Sequence, residues 1–142
     1  MYHIKTFNTD NDALAEIAFS IRQKVFVDEQ KVDAREEYDE HEKESTHYLL
    51  SKDEQPIGTA RWRHTDQGIK LERFAVLKEH RGGGAGSFLV NAVLQDVLPF
   101  NKKLYLHSQV TAVNLYKRAG FVAEGQLFYE ANIAHFKMVY KK

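Results

Sequence analysis

Residues 81–86 read Arg-Gly-Gly-Gly-Ala-Gly and run straight into a segment with helical periodicity, while a strand-like run, Ile69–Leu77, leads into them. A strand feeding a glycine-rich loop that opens a helix is a device for gripping phosphate. Glycine brings the backbone close to an anion because no Cβ stands in the way. The unpaired N–H groups of the first helical turn then face the anion, with the positive end of the helix dipole behind them. Spacing selects among loops of this kind. A P-loop needs Gly, four residues, then Gly-Lys-Ser/Thr, and no lysine follows a glycine in this chain. A dinucleotide fingerprint beginning Gly82-x-Gly84 needs its third glycine where Ser87 stands. The pattern that fits is Arg-x-x-Gly-x-Gly, carried by Arg81, Gly84 and Gly86.

That spacing resembles the acyl-CoA pyrophosphate loop of the GNAT superfamily of N-acetyltransferases. A second motif follows in order. Gln109, Ala112, Tyr116, Gly120 and Phe121 fall at the spacing of the family's Asn-x-x-Ala-x-x-x-Tyr-x-x-x-Gly-Phe, with Gln in place of Asn. Arg22-x-x-Val25-Phe26-Val27-x-Glu29-Gln30 and Glu130-x-x-Ile133-x-His135 are similar to the ElaA/YjcF-like branch, so the resemblance runs through the whole chain. It implies acyl transfer from acetyl-CoA to a primary amine of a small molecule or peptide, by direct attack in a ternary complex. It implies that Arg81, Gly82, Gly83, Gly84, Ala85, Gly86 and Ser87 hold the pyrophosphate. Phe74, Ala75 and Val76 would pair with pantetheine as a pseudo-strand, and Gln109, Ala112 and Tyr116 would complete the cofactor site. In the family this strand carries a bulge and splays from the next, and a backbone N–H near Phe74 or Ala75 would polarise the thioester carbonyl.

Tyr116 is the family's usual proton donor to the leaving thiolate. Glu72 stands two residues before Phe74, and strict alternation puts both on one strand face, which makes it a candidate general base. An ion pair with Arg61 or Arg63 explains Glu72 equally well. His107, His135 or water are the other proton acceptors. His41 and His47 with Glu42 do not make H-E-x-x-H, so no metal is expected. The alternatives to an enzyme are a catalytically idle acyl-CoA-binding or regulatory module on the same fold and, more weakly, a nucleotide-binding domain.

These residues need elements to hold them. Tyr2–Phe7 alternates as a strand. Thr9 and Asp12 have capping-box spacing ahead of a helix striped by Leu14, Ile17, Ala18, Ile21 and Val25. Residues 26–43 read as a short helix plus loop, Thr46–Leu50 as a strand and Lys52–Pro56 as a turn. Ile57–His64 and Ile69–Val76 form a hairpin. The helix after the glycine loop puts Ala85, Phe88, Leu89, Ala92, Val93 and Val97 on its apolar face and stops at Pro99. A strand at Lys103–His107, a helix ending at Gly120, and strands at Val122–Tyr129 and Ile133–Tyr140 finish the chain. The expected fold is α/β (α+β), one domain over residues 1–142. It has a mixed, mostly antiparallel sheet of about six to seven strands with a V-shaped slot, flanked by about four helices.

Composition sets the remaining bounds. The chain has no cysteine, which excludes thiolate zinc sites, disulfides and cysteine nucleophiles. It has no apolar run long enough for a bilayer and no signal h-region, so a cytoplasmic protein without a membrane partner is expected, as monomer or homodimer. Net charge is zero but uneven: residues 28–44 carry nine acids against three basic residues. Such an acidic flank suits a cationic amine, and a solvated acidic loop explains it equally. No strongly basic face is evident, so nucleic acid is not an expected partner.

Overall fold

The computed structural model describes residues 1–141. Seven strands, β1 (Tyr2–Phe7), β2 (Thr46–Lys52), β3 (Gln55–Thr65), β4 (Gly68–Val76), β5 (Leu104–Gln109), β6 (Phe121–Glu130) and β7 (Ile133–Tyr140), join one sheet in the order β1-β2-β3-β4-β5-β7-β6. All neighbours are antiparallel except β4 and β5. Four α-helices flank it: α1 (Asp12–Arg22), α2 (Ala34–Glu37), α3 (Ala85–Val97) and α4 (Val113–Ala119). The parallel pair arises because β4 reaches β5 by a crossover through α3, whereas the other neighbours pair through hairpins or returns.

Each face of the sheet carries its own core. On one, Tyr48, Leu50, Ala60, Trp62, Ile69 and Leu71 pack against Leu89, Val90, Val93 and Val97 of α3 and Tyr116 of α4. On the other, Leu49, Ala75 and Leu77 pack against Ala15, Ala18 and Ile21 of α1 and against Val25 and Phe26. The buried stripe of α3 includes Val90 and Leu94, while Phe88 is partly exposed and leans on Tyr2, ring centroids 5.1 Å apart. Pro99 does not end α3 abruptly: the helix gives way after Val97 to one tighter turn, Leu98–Phe100.

Two differences from the sequence reading matter for the site. The cap of α1 is Asn11, whose Oδ1 accepts the Leu14 N–H at 3.2 Å, and not Thr9. Beyond Arg22 the helix continues as a π-helical segment, Gln23–Glu29, where the sequence suggested the first helix ending near Val25 and a separate short helix plus loop over residues 26–43. The wider turn keeps Val25 and Phe26 in the core and carries Glu29 and Gln30 toward the ends of β4 and β5.

The sheet is interrupted at two adjoining places. β4 and β5 pair only through Ile69/Leu104, Lys70/Tyr105 and Leu71/Leu106, and past the last pair they part. In the β3–β4 ladder Arg61 faces Glu72 and Thr59 faces Ala75, so Arg73 and Phe74 together oppose Ala60. This is a β-bulge, and Arg73 sits in it at φ 59°. The extra residue reverses the alternation. Phe74 and Val76 join the α3 side with Leu71, whereas Glu72 and Ala75 face α1. Glu72 and Phe74 therefore lie on opposite faces, contrary to the simple period-two expectation.

Candidate functional site

The parting of β4 from β5 opens a cavity of about 1000 Å³ that runs through the sheet between its two faces. On the α3 side its wall is Phe74, Val76, Leu115 and Tyr116; on the α1 side it is Glu72, Gln109, His135 and the π-helical segment with the loop around α2. Arg81, Gly82, Gly84, Gly86, Ser87 and Ala112 line it as well, as does Ala75. Gly83 and Ala85 do not. The Gly83 carbonyl accepts the Tyr2 hydroxyl at 2.9 Å, and Ala85 faces the core.

The glycine loop owes its shape to two left-handed residues, Gly82 (φ 85°) and Gly84 (φ 90°). Gly84 is the N-cap of α3, with no side chain capping that end and no acid in the first turn. By contrast, Asn11 and Asp33 cap α1 and α2. The N-terminal amides of α3 are thus left for an anion at the cavity mouth. Arg81 stands beside them, its Nη1 and Nη2 donating to Glu29 at 2.6 and 2.7 Å and its Nε to the Val76 carbonyl at 2.9 Å. Gln109 Nε2 donates to Gln30 Oε1 at 2.8 Å. The spacing of the N-terminal motif had marked Glu29 and Gln30, but nothing in it showed that they reach the two later motifs.

Tyr116 is buried against Phe74 and Phe121, ring centroids 5.7 and 6.2 Å away. Its hydroxyl hydrogen-bonds to no other described residue, yet no described side-chain polar atom is both fully buried and unpartnered. The hydroxyl therefore opens onto the cavity it lines. Burial pushes this phenol well above its ordinary value.

Beneath the α1 side lies a buried charge network. Arg22 and Arg61, each 1 % exposed, hold Glu37, Glu42 and Asp39 from the loop around α2. Arg61 also holds Glu72, at 2.7 Å from Nε, and Arg63 and Lys70 reach the same carboxylate at 3.0 and 3.2 Å. Burial works to raise the Glu72 pKa, but Arg61, Lys70 and Arg63 outweigh it and hold it at about 2. Arg73, at the bulge, reaches Glu37 and Asp39 at 3.2 Å. Within the acidic run, Glu29, Asp33, Glu37, Asp39, Glu42 and Glu44 all have basic partners. The run does not present its full negative charge to the cavity, which removes most of the support for a cationic acceptor. Its partners Arg22, Arg61 and Arg81 come from distant stretches of chain, so local composition could not show the neutralisation.

Among the described residues no cluster of His, Asp or Glu could hold a metal ion, and no helix is long and apolar enough to cross a membrane.

The profile of the acetyltransferase (GNAT) domain matches residues 10–142. The uncharacterized N-acetyltransferase YjcF of Bacillus subtilis (strain 168) is 38% identical over 138 residues, covering 96% of this chain and 99% of that one. Two crystal structures share the fold: Escherichia coli ElaA, with a TM-score of 0.86 at 22% identity, and an acyl-CoA N-acyltransferase from Pseudomonas aeruginosa, with 0.85 at 23%. Each comparison covers 99% of this chain and 100% of the other.

Proposed function

The chain belongs to the GNAT acetyltransferase family, and from that premise we propose that it moves the acetyl group of acetyl-CoA to a primary amine by direct attack in a ternary complex. The observation that carries this reading is one continuous path. β4 bulges at Arg73, parts from β5 beyond Leu71, and ends in a glycine loop whose uncapped helix opens on the same cavity as Tyr116. Such a path is long enough in kind for a polyanionic head at the loop and a thin thioester arm in the slot.

The residues divide the work. The backbone at Gly82, Gly84, Gly86 and Ser87, with Arg81, binds the pyrophosphate, while Gly83 and Ala85, expected there from the sequence, stay outside the cavity. Phe74, Ala75 and Val76 offer backbone to the pantetheine arm, since a bulge leaves its extra residue out of the ladder. An N–H at Phe74 or Ala75 holds the oxyanion as the thioester carbonyl is attacked. Gln109, fixed by Gln30, and Ala112 border the arm on the far side of the slot. Tyr116 protonates the departing thiolate. Fixing amine and thioester in contact lowers the barrier by roughly 7–11 kcal/mol where the alignment is good.

Glu72 takes a positioning role here in place of the general-base role read from the sequence. A carboxylate held near 2 keeps its charge but binds a proton too weakly to draw one from an ammonium group. Its place is to anchor Arg61, Arg63 and Lys70. The acceptor enters from the α1 side and is a small molecule or peptide amine, and the site works in the cytoplasm.

Thiol release from acetyl-CoA, measured against a panel of primary amines, tests the reading. Release that depends on the amine is expected. Tight CoA binding with no amine-dependent release would instead establish an idle acyl-CoA-binding module. A larger thermal shift with ATP than with CoA would point to a nucleotide-binding domain.

A further inference from the structure

Two imidazoles stand on the α1 side of the slot, where the acceptor enters, and acyl transfer as outlined leaves the ammonium proton without a destination. We infer that His135 is the catalytic base that takes this proton, through Nε2. This rests on the acyltransferase reading.

His135 Nδ1 lies 2.7 Å from the carbonyl oxygen of Ile133 on its own strand. A carbonyl only accepts, so Nδ1 carries the hydrogen and donates it, and the neutral ring keeps its lone pair on Nε2. The residue is 7 % exposed and Nε2 bonds to no other described residue. No described side-chain polar atom is fully buried and unpartnered, so Nε2 opens on the cavity that His135 lines. The ring is held flat against Phe128, centroids 5.8 Å apart at 23°.

Register places this residue at the open end of the slot. His135 is the cross-strand partner of Gln109, at the open end of β5. His107 is the nearest competitor. Its Nδ1 lies 3.2 Å from Glu130 Oε2, which fixes the same tautomer. However, it stands next to the last β4–β5 pair, Leu71/Leu106, where the slot is closing. Glu72 is spent on its three cations.

The titratable and charged groups that share the cavity with the ring are His107 on β5, Glu130 at the end of β6, Lys70, Glu72 and Arg73 on β4, and Arg35, Glu36, Glu37, Asp39, Glu40 and His41 around α2. The His107 hydrogen bond, above all, depresses the Glu130 carboxyl, with Lys70 and His135 adding to it. Glu130 is thus an anion at neutral pH.

The protons balance. The attacking nitrogen goes from ammonium to amide and sheds two. His135 takes the first and releases it to solvent. The nitrogen lone pair then forms the C–N bond, the carbonyl π electrons move to oxygen, and on their return the C–S bond breaks. The thiolate takes a proton from Tyr116, which is refilled by the second proton from nitrogen.

The test uses His135→Gln in the full chain, with acetyl-CoA and the best amine of the panel. At neutral pH kcat/KM falls about a hundredfold, while the Kd for CoA stays within about twofold. The deficit shrinks as pH rises toward the amine's own pKa, because a free amine needs no base. A long-range ¹H–¹⁵N imidazole spectrum of the wild-type chain with CoA shows His135 protonated on Nδ1. Unchanged rate and pH profile in His135→Gln overturn the inference, as does protonation on Nε2, or a pH-dependent loss found in His107→Gln instead. Wild-type protein with no amine-dependent thiol release would be the failure of the acyltransferase reading itself.

Discussion

Glu29 grips both terminal nitrogens of Arg81 across a separation of 52 residues, joining the π-helical segment to the glycine loop. The contact holds the guanidinium over the mouth of the cavity. It also sets a carboxylate beside the loop proposed to hold the pyrophosphate.

Removing that carboxylate while keeping its shape should therefore tighten CoA binding. Glu29→Gln lowers the Kd by about threefold in titration calorimetry, the gain being largest at low salt because charges at the mouth are screened within about 10 Å at 0.1 M. Arg81→Ala raises the Kd by about tenfold, near the low end for a hydrogen bond between charged groups. Weaker binding in Glu29→Gln would mean that the pair serves to aim Arg81 and not to compete for it.

Gly84 combines a left-handed φ of 90° with the N-cap of α3. Apart from its chain neighbours, no described protein atom lies within 4 Å of where its Cβ would stand, so the surrounding protein leaves room for a side chain. The constraints are the backbone and the ligand. Gly84→Ala costs about 1–2 kcal/mol in strain and sets a methyl group where the phosphates approach. Calorimetry should show CoA affinity down about tenfold with the circular dichroism of the folded chain retained. Affinity equal to the wild type would remove the loop from pyrophosphate binding.

The loop and the second motif were legible because each is a spacing within one short continuous stretch of chain. The bulge at Arg73 was not. One extra residue leaves no period of its own, and Leu71-Glu72-Arg73-Phe74 reads as ordinary alternation until the partner strand is known. The π-helical turn at Gln23–Glu29 was hidden for a like reason: its wider pitch continues the apolar stripe of α1 as far as Val25 and Phe26. The partners of the acidic run were hidden by distance. Glu37, Asp39 and Glu42 meet Arg22, on α1, and Arg61, on β3, only after the sheet has formed.

That network makes stability depend on acid. The folded-state pKa of Glu72 lies below its ordinary 4.5, so its stabilisation is complete above about 4.5 and is lost as pH falls toward 2. Glu72→Gln leaves Arg61 short of a buried counter-charge, a change that costs roughly 3 kcal/mol and lowers Tm by roughly 10 °C at pH 7. Near pH 3 the melting temperatures of the variant and the wild type should draw together. An equal gap at pH 7 and pH 3 would show that Glu72 stabilises the fold by packing and not by charge.

Tyr116 and His135 lie on opposite sides of the slot, one among the α3-side core and the other on the α1 face. An acid and a base placed so cannot neutralise each other directly, and each meets a different end of the reacting centre. The Tyr116 hydroxyl has no described partner to hold its proton, and its raised pKa keeps it protonated through neutral and mildly alkaline pH. A thiolate leaving into the same desolvated cavity is raised too, which offsets the weakened acidity of the phenol. Tyr116→Phe keeps the ring that packs on Phe74 and Phe121 and deletes only the oxygen. Turnover should fall about a hundredfold, with the Kd for CoA within about twofold and Tm unchanged or slightly higher. The loss should persist at alkaline pH, where the need for a base has gone but the thiolate still needs its proton. Wild-type turnover in Tyr116→Phe would leave the thiolate to be protonated by water and reduce Tyr116 to a wall of the slot.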